Sequence, residues 1–452
     1  MKICLISCFP PSKGVLNEYG FHVARELQAD PVVSLSVVAD SLRGEEPELP
    51  EFHVERCWEQ DRLSNHRRLL RTLRNLRPDV VWFNLVFSSF GNRDHPLAAF
   101  SGLTLPAMTR TAGYYTHVTL HHLMDHIDLN DSGVRNKTLF RMAGYTATRL
   151  ILMANSVSVL LPAYRRTLIE KYRGEHIHFR SHGIFSARPE YPDFSRRGNP
   201  EHRILAFGKW GTYKRCELLI EAFLAGVAAR VPAARLVIAG SNNPNSAGYV
   251  ESLREKYGNH PRITFSGYVA EEDISEIFGG ASVLAMPYTS AAGASGVAHL
   301  AAQHGVPIVS ADVPDFREMA ENEGLAIKFY PIGDPKALAD RLVSLLKSEQ
   351  EMREMAEQNF SAALRMTMPQ IIRQYVRAFD RHQRARALEA VSRFRRLPGW
   401  IPRRSAIFRS IPLGRVATPE EIAAPILFLC TEHAGFISGE ILNVNGGAVL
   451  VG

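Results

Sequence analysis

Short apolar runs and helical patterns alternate through the first part of the chain. The apolar runs predict β-strands at Lys2–Ser7, Val32–Ala39, Asp79–Asn84, Tyr114–His121, Leu150–Asn155 and His176–Arg180. Leucines recur at helical spacing between two of these strands, at Leu63, Leu69, Leu70, Leu73 and Leu76. Because strands that alternate with helices are typical of parallel sheets covered by crossover helices, residues 1–185 are predicted to form a Rossmann-like domain.

A second block repeats this alternation. Its apolar runs predict strands at Arg203–Phe207, Arg235–Ala239, Arg262–Ser266, Ser282–Met286, Pro307–Ala311 and Leu325–Phe329. Helical patterns follow, notably over Lys214–Ala229 and Ala337–Lys347. The segment 186–202 between the blocks is rich in Pro, Arg, Ser and Gly and lacks an apolar period, which predicts a hinge. We therefore expect an α/β protein in which two Rossmann-like domains, the second at 200–365, face a cleft.

The pattern changes again near the C-terminal end. A long helical pattern over Met368–Leu397 predicts a crossing helix and a basic spacer at 366–410. The last segment, 411–452, regains apolar character and predicts one helix at Pro419–Leu429 and one strand at Ile441–Val444. This tail is the fourth predicted region of the chain.

Composition favours a folded protein of the cytoplasm. Apolar residues make up 46% of the 452 residues and charged residues 22%, which is far from the composition of disordered chains. The first apolar run ends at Phe9-Pro10-Pro11, too early for a signal peptide, and no uninterrupted apolar stretch is long enough to cross a membrane. The five cysteines are scattered without the spacing of a metal site or a disulfide framework, at Cys4, Cys8, Cys57, Cys216 and Cys430.

The net charge of +7 leaves several partners open, since net charge reports on partners and not on fold. Arginines cluster at 62–77 and 373–409, but stacking aromatics do not interleave with them, so we expect no nucleic-acid partner. Arg67, Arg71 and Arg74 share one helix face. That face is either solvated or forms a peripheral contact with the anionic inner face of the membrane.

Two strand exits carry candidate chemistry. At the first, Gly208 and Gly211 allow close backbone approach while Lys209 and Lys214 supply cations for a diphosphate. The alternative is a surface loop with two lysines. At the second, 287–297, Ser295 is a candidate N-cap that leaves the amides of Gly296 and Val297 free for an anion. The alternative is close packing of the helix on the sheet.

The second block resembles the nucleotide-binding half of a GT-B glycosyltransferase of the retaining family 4. The resemblance rests on the strings at 204–209, 218–223, 236–240, 263–269, 295–297 and 305–309. The first block adds Phe9 to Gly14, the strand starting at Pro78, the run ending at His121, and Ser181-His182-Gly183.

The resemblance implies roles for particular residues. Gly14 would approach the donor phosphate and His121 the transferred sugar, although a structural histidine is the alternative at 121. Gly208, Tyr268, Ser295, Gly296 and Val297 would contact the donor. Lys209 and Lys214 would stabilise charge on the departing phosphate, which needs no metal. The resemblance thus implies a retaining, metal-independent hexosyltransferase without a cofactor, using a UDP- or GDP-linked sugar and an acceptor that is a glycan, a lipid-linked molecule or a small molecule.

The sequence departs from the family pattern at one point. Many members carry two glutamates that contact the donor sugar and ribose, and Ala292 and Leu300 stand at these positions here. The resemblance therefore does not extend to the carboxylates that make the sugar and ribose contacts. A non-catalytic nucleotide-sugar-binding or scaffold protein is therefore an alternative function.

The tail resembles the last part of short-chain dehydrogenases/reductases. The matching strings lie at 411–415, 418–423, 427–429, 436–439 and 442–447. The rest of such an enzyme is missing, because the chain has neither the glycine-rich turn near its start nor a Tyr-x-x-x-Lys pair, and an oxidoreductase is the remaining alternative.

The tail is also predicted to need a partner. A segment of this size cannot bury enough apolar surface to fold alone, so we expect a dimer or tetramer formed through it. The alternatives are docking onto the first domain of the same chain and association with a separate dehydrogenase.

Overall fold

The computed structural model describes residues 1–12, 14–42, 44, 49–92, 95–126, 137–194, 201–243, 246–290, 293–395, 417–431, 434–435 and 444. The chain divides into two compact units, Met1–Arg377 and Ala378–Gly452. The first unit contains two parallel β-sheets with helices between their strands. No helix among these residues is long and apolar enough to cross a membrane.

The first sheet has seven parallel strands in the order β3-β2-β1-β4-β5-β6-β7. They are β1 Lys2–Ile6, β2 Ser34–Asp40, β3 Val54–Trp58, β4 Val80–Leu85, β5 Tyr115–Leu120, β6 Ser156–Val159 and β7 Ile177–Phe179. The helices are α1 Asn17–Ala29, α2 Asn65–Leu76, α3 Pro96–Leu103, α4 Leu105–Thr111, α5 Lys137–Ile151 and α6 Pro162–Glu170. Every residue of β4 and β5 is buried, as expected for strands covered on both faces. The strand order reverses between β1 and β4.

The second sheet has six parallel strands in the order β10-β9-β8-β11-β12-β13. They are β8 Arg203–Trp210, β9 Arg235–Asn242, β10 Ile263–Gly267, β11 Val283–Met286, β12 Ile308–Ala311 and β13 Ile327–Tyr330. The helices are α7 Cys216–Ala222, continued by a π-helix over Phe223–Val227 to α8 Ala228–Arg230, then α9 Tyr249–Tyr257, α10 Ile274–Gly279, α11 Gly296–Gln303, α12 Pro314–Glu323, α13 Pro335–Leu346 and α14 Glu349–Leu364. The order reverses between β8 and β11. In open parallel sheets, ligands bind beyond the strand ends at such a reversal.

The strand predicted at Leu150–Asn155 is wrong. Leu150 and Ile151 end α5, whose buried residues Gly144, Ala147, Thr148 and Ile151 follow a helical period. The strand begins only at Ser156. An apolar run of this length fits the end of a helix as well as a strand, so the pattern alone could not separate them.

The apolar pattern also did not predict β3, which lies at the edge of the first sheet. Glu55 and Arg56 interrupt the apolar pattern of this strand, and an edge strand tolerates such residues because solvent reaches it.

The C-terminal helices match the sequence prediction closely. The long helix α15 spans Met368–Arg395, and at its start the ring of Tyr375 packs 4.3 Å from that of Trp82 on β4. In the second unit, α16 spans Pro419–Leu429 and begins with a capping box between Thr418 and Glu421. The strand predicted at 441–444 falls almost entirely outside the described residues.

Candidate functional site

The loop after β8 folds back on itself at the reversal point of the second sheet. Gly208, Gly211 and Thr212 all have positive φ, at 146°, 100° and 53°. The amide of Gly211 donates to the Lys214 carbonyl at 3.2 Å, and the amide of Lys214 donates to the Gly211 carbonyl at 3.1 Å. This tight turn brings the Lys214 side chain back beneath Gly208.

Gly208 lies against Gly240 of the neighbouring strand β9. The two residues are register partners, and a Cβ placed on Gly240 would overlap the carbonyl oxygen of Gly208. Gly240 itself has a φ of 110°, which L side chains rarely adopt. Close packing of backbone on backbone therefore holds the Gly208 loop in place.

Lys214 is the cation of this loop that faces inward. Its Nζ lies 4.8 Å from the centre of the Tyr288 ring and 3.0 Å from the position that a Cβ on Gly208 would occupy. Burial lowers the pKa of Lys214 to about 8, and the charge on Lys209 adds to this effect. Lys209 is exposed to solvent, so the structure separates two lysines that the sequence treats alike.

The start of α11 faces the same loop. Ser295 is its N-cap, as predicted, and its Oγ accepts from the amide of Ala298 at 3.3 Å. A methyl carbon of Val297 lies 3.9 Å from the Cβ position on Gly208. The first turn of α11, the Gly208 loop and the Lys214 ammonium thus converge, and together they offer positive charge and free amides to an anion.

His121 lies at the carboxyl end of β5 in the first domain. Its Nε2 donates to Asn84 Oδ1 at 2.6 Å, and its ring contacts Tyr19 of α1 edge-on, with centroids 4.5 Å apart. Burial, with the neighbouring His182 and His122, holds the pKa of His121 well below its usual range, so the ring is neutral. Its carbonyl oxygen touches Gly293, which joins this strand end to the loop that leads into α11.

Asp315 fixes the Gly293 loop. This buried carboxylate at the start of α12 accepts from the amide of Gly293 at 3.1 Å and from the hydroxyl of Tyr164 at 2.7 Å. Tyr164 belongs to α6 of the first domain. The two domains are therefore tied together beside the candidate site by a residue that sequence reasoning did not single out.

Two other predicted site residues, Gly14 and Tyr268, have surroundings of their own. A Cβ on Gly14 would lie 2.5 Å from Cys8 Sγ and 3.2 Å from Asp40 Oδ2, so the half-buried Gly14 packs against residues that follow β1 and end β2. Tyr268 follows β10 at the sheet edge and is 79% exposed. Of the two positions that lack glutamate, Ala292 lies outside the described residues.

A pair of histidines adjoins the start of α11 and was not predicted as part of the site. His182 follows β7 and lies within 4 Å of the Cβ position on Gly296. His299 lies in the second turn of α11, with its ring centroid 4.8 Å from that of His182. The quoted string Ser181-His182-Gly183 contained the first of them, but spacing could not show that it meets α11. No group of three or more potential ligands among the described residues is placed to hold a metal ion.

Solved structures define the class of fold. Sucrose-phosphate synthase from Thermosynechococcus elongatus superposes with a TM-score of 0.69 at 16% identity, covering 85% of this chain and 100% of that one. Anabaena HepE in complex with UDP gives 0.63 at 15% identity, covering 84% and 100%. WaaG, a glycosyltransferase involved in lipopolysaccharide biosynthesis, gives 0.60 at 15% identity, covering 83% and 98%. The fold is GT-B, as predicted.

Two segments then match known families. Residues 201–348 match the family described as glycosyl transferases group 1. Residues 394–449 match the family described as enoyl-(acyl carrier protein) reductase. Residues 201–348 are therefore similar to group 1 glycosyltransferases and residues 394–449 to short-chain reductases, so the resemblance to GT-B glycosyltransferases and the resemblance of the tail are both confirmed.

The curated relatives are similar to the chain only over short segments. The 3-oxoacyl-(acyl-carrier-protein) reductase FabG of Aquifex aeolicus is 60% identical over 37 residues, which are 8% of this chain and 15% of that protein. FabG of Rickettsia typhi is 46% identical over 48 residues, or 11% and 20%. The chain thus spans a fifth or less of the length of these two reductases.

Proposed function

We propose that the chain transfers a sugar from a nucleotide-sugar donor to an acceptor bound between its two Rossmann-like domains. The observation that carries this proposal is the convergence of Lys214, the Gly208 loop and the first turn of α11 opposite His121. The glycosyltransferase group 1 domain at 201–348 supports it. The tail lacks the residues of a dehydrogenase active site, so oxidoreductase activity has no comparable support.

The proposed reaction breaks the bond between the anomeric carbon of the sugar and an oxygen of the diphosphate. A new bond forms between that carbon and the acceptor hydroxyl oxygen, and the hydroxyl proton passes to the departing diphosphate. Negative charge therefore grows on the diphosphate, where the Lys214 ammonium and the amides of Gly296 and Val297 stabilise it without reorganising. We further propose that no metal is needed and that the anomeric configuration is retained, in line with the family resemblance.

The donor is proposed to be linked to UDP. HepE was solved with UDP and with UDP-glucose, and the present chain shares its fold. We expect isothermal titration with UDP-, GDP- and ADP-hexoses to give binding for the UDP series, and nucleotide release to follow when a suitable acceptor is added. Binding without release for any acceptor would favour the alternative, a non-catalytic binding protein. Absence of binding for the whole panel would refute the proposal.

We also propose that the tail mediates self-association. Ile422, Ile426 and Leu429 lie on one face of α16 and are 41%, 58% and 46% exposed, and Leu427 and Phe428 are exposed beside them. Soluble monomers rarely expose contiguous apolar patches of this kind. A two-fold axis through α16 would cover the same face on both copies.

The double substitution Ile426→Asp and Leu429→Asp in the full chain is expected to convert a dimer or tetramer into a monomer. A carboxylate on each side of a closed apolar interface would have to lose its water without a partner. Light scattering gives the mass, and Glu420→Gln on the same helix serves as the control. A wild-type chain that is monomeric, or a variant that keeps the wild-type mass, would show that the tail is not an oligomerisation module.

A further inference from the structure

The protonation of His182 follows from its hydrogen bond. Its Nδ1 lies 2.9 Å from the carbonyl oxygen of Gly183. A carbonyl oxygen only accepts, so Nδ1 carries the proton and donates. In the neutral ring Nε2 is then a lone-pair acceptor.

That acceptor faces the start of α11. The His182 side chain is buried, with Tyr19 and Phe185 against its ring at centroid distances of 4.9 and 5.7 Å. Its Cε1 and Nε2 atoms lie 3.7 and 3.8 Å from the Cβ position on Gly296. Because Gly296 has no side chain, no side-chain atom of this residue lies between His182 Nε2 and the first turn of α11.

Burial and the neighbouring His299 together keep His182 neutral. The Nδ1 of His299 donates to the carbonyl oxygen of Ser295 at 2.7 Å, and its Nε2 lies 3.0 Å from Glu323 Oε2, with both side chains buried. Burial lowers the pKa of His299, but the Glu323 carboxylate and the hydrogen bonds of the ring outweigh this effect, and the net shift of the pKa is upward. Burial, and next the adjacent His299, lower the pKa of His182 to about 3.

A lone pair at this position selects a particular chemical group. Phosphate oxygens carry lone pairs of their own, so they cannot pair with an unprotonated Nε2. A hydroxyl can donate to it. In a nucleotide sugar whose diphosphate lies at Lys214 and the start of α11, the hydroxyl nearest the diphosphate in the bonded structure is the one on the sugar carbon next to the anomeric carbon. The ribose hydroxyls are separated from the diphosphate by one carbon more.

We propose that His182 Nε2 accepts a hydrogen bond from a hydroxyl of the donor sugar. This inference rests on the proposed function. By this proposal, His182 makes the protein bind a nucleotide sugar more tightly than the free nucleotide.

The test compares the affinities of UDP and UDP-glucose in calorimetric titrations of the full chain. His182→Leu is expected to leave the affinity for UDP within about twofold of wild type and to weaken UDP-glucose about tenfold, the effect of losing one buried hydrogen bond. His182→Gln, whose amide oxygen also accepts, is expected to recover part of the loss. His178→Leu, at an exposed histidine on β7, is the matched control and should change neither affinity.

Equal weakening of UDP and UDP-glucose in His182→Leu would place the ring on the part that both ligands share, the nucleotide, and overturn the inference, as would unchanged binding of both. Should the variant fail to fold, the wild type still decides. The ¹⁵N resonance of His182 Nε2 is expected to shift when UDP-glucose is added and to stay in place with UDP, and the reverse pattern would overturn the inference. A wild-type chain that binds neither nucleotide overturns the proposed function itself.

Discussion

Lys214→Met is expected to lower kcat for sugar transfer about a hundredfold to a thousandfold. Methionine keeps the contact with the Tyr288 ring but removes the ammonium that lies beside Gly208 and the start of α11. One preorganised electrostatic group at a reacting centre lowers the activation free energy by about 3 kcal/mol, because the group is already in place when charge develops. Steady-state measurement of nucleotide release gives kcat and KM separately.

Lys209→Met is the matched control for this substitution. Lys209 belongs to the same loop, but its side chain is exposed, and water screens its charge. We expect turnover within about threefold of wild type, or less than about 1 kcal/mol of barrier. Similar losses for the two variants, or a Lys214→Met enzyme that stays within about threefold, would show that the position of Lys214 does not carry the chemistry.

The lowered pKa of Lys214 also predicts that the affinity for the donor depends on pH. Below its pKa of about 8 the side chain is a cation and attracts the diphosphate. As the pH rises through this value the free protein loses the cation, so donor affinity is expected to fall between about pH 7 and pH 9.5. In Lys214→Met this decrease should be absent, and calorimetric titration at several pH values measures it.

Gly240→Ala is expected to destabilise the second domain by about 3 kcal/mol or more. The new methyl group would overlap the carbonyl oxygen of Gly208 in backbone that cannot move away without breaking the β8–β9 ladder. The φ of 110° adds strain for any L residue. Chemical denaturation followed by fluorescence measures the loss, and donor affinity should fall with it because the Gly208 loop is displaced.

Gly248→Ala separates the effect of overlap from that of backbone strain. Gly248 also has a positive φ, of 81°, but a Cβ there meets nothing within 4 Å. Its substitution should lower the free energy of unfolding by only about 1–2 kcal/mol, the cost of placing an L residue in the left-handed conformation. Equal losses for the two variants would mean that the close approach of Gly240 to Gly208 is not what holds the loop.

Much of the fold could be predicted because buried parallel strands have sequences that are continuous apolar runs. The predicted strand at Ser282–Met286 corresponds to β11, and the one at Pro307–Ala311 to β12, each within one residue at the ends. The same signal failed at Leu150–Asn155, where a helix end and the following strand share one apolar stretch. It failed again at β3, where charged residues occupy a sheet edge.

The sequence by itself determined the two-domain α/β organisation, the Ser295 cap and the glycine-rich loop that carries Lys214. These features are local, because each depends on the order of neighbouring residues and on backbone conformations that few residues adopt. The tertiary structure alone decided that Lys214 faces inward while Lys209 meets solvent. It also decided that His182, His299 and Glu323 meet at the start of α11. Such contacts join residues far apart in the chain, and only the packing of the two domains brings the His182 ring against that of His299.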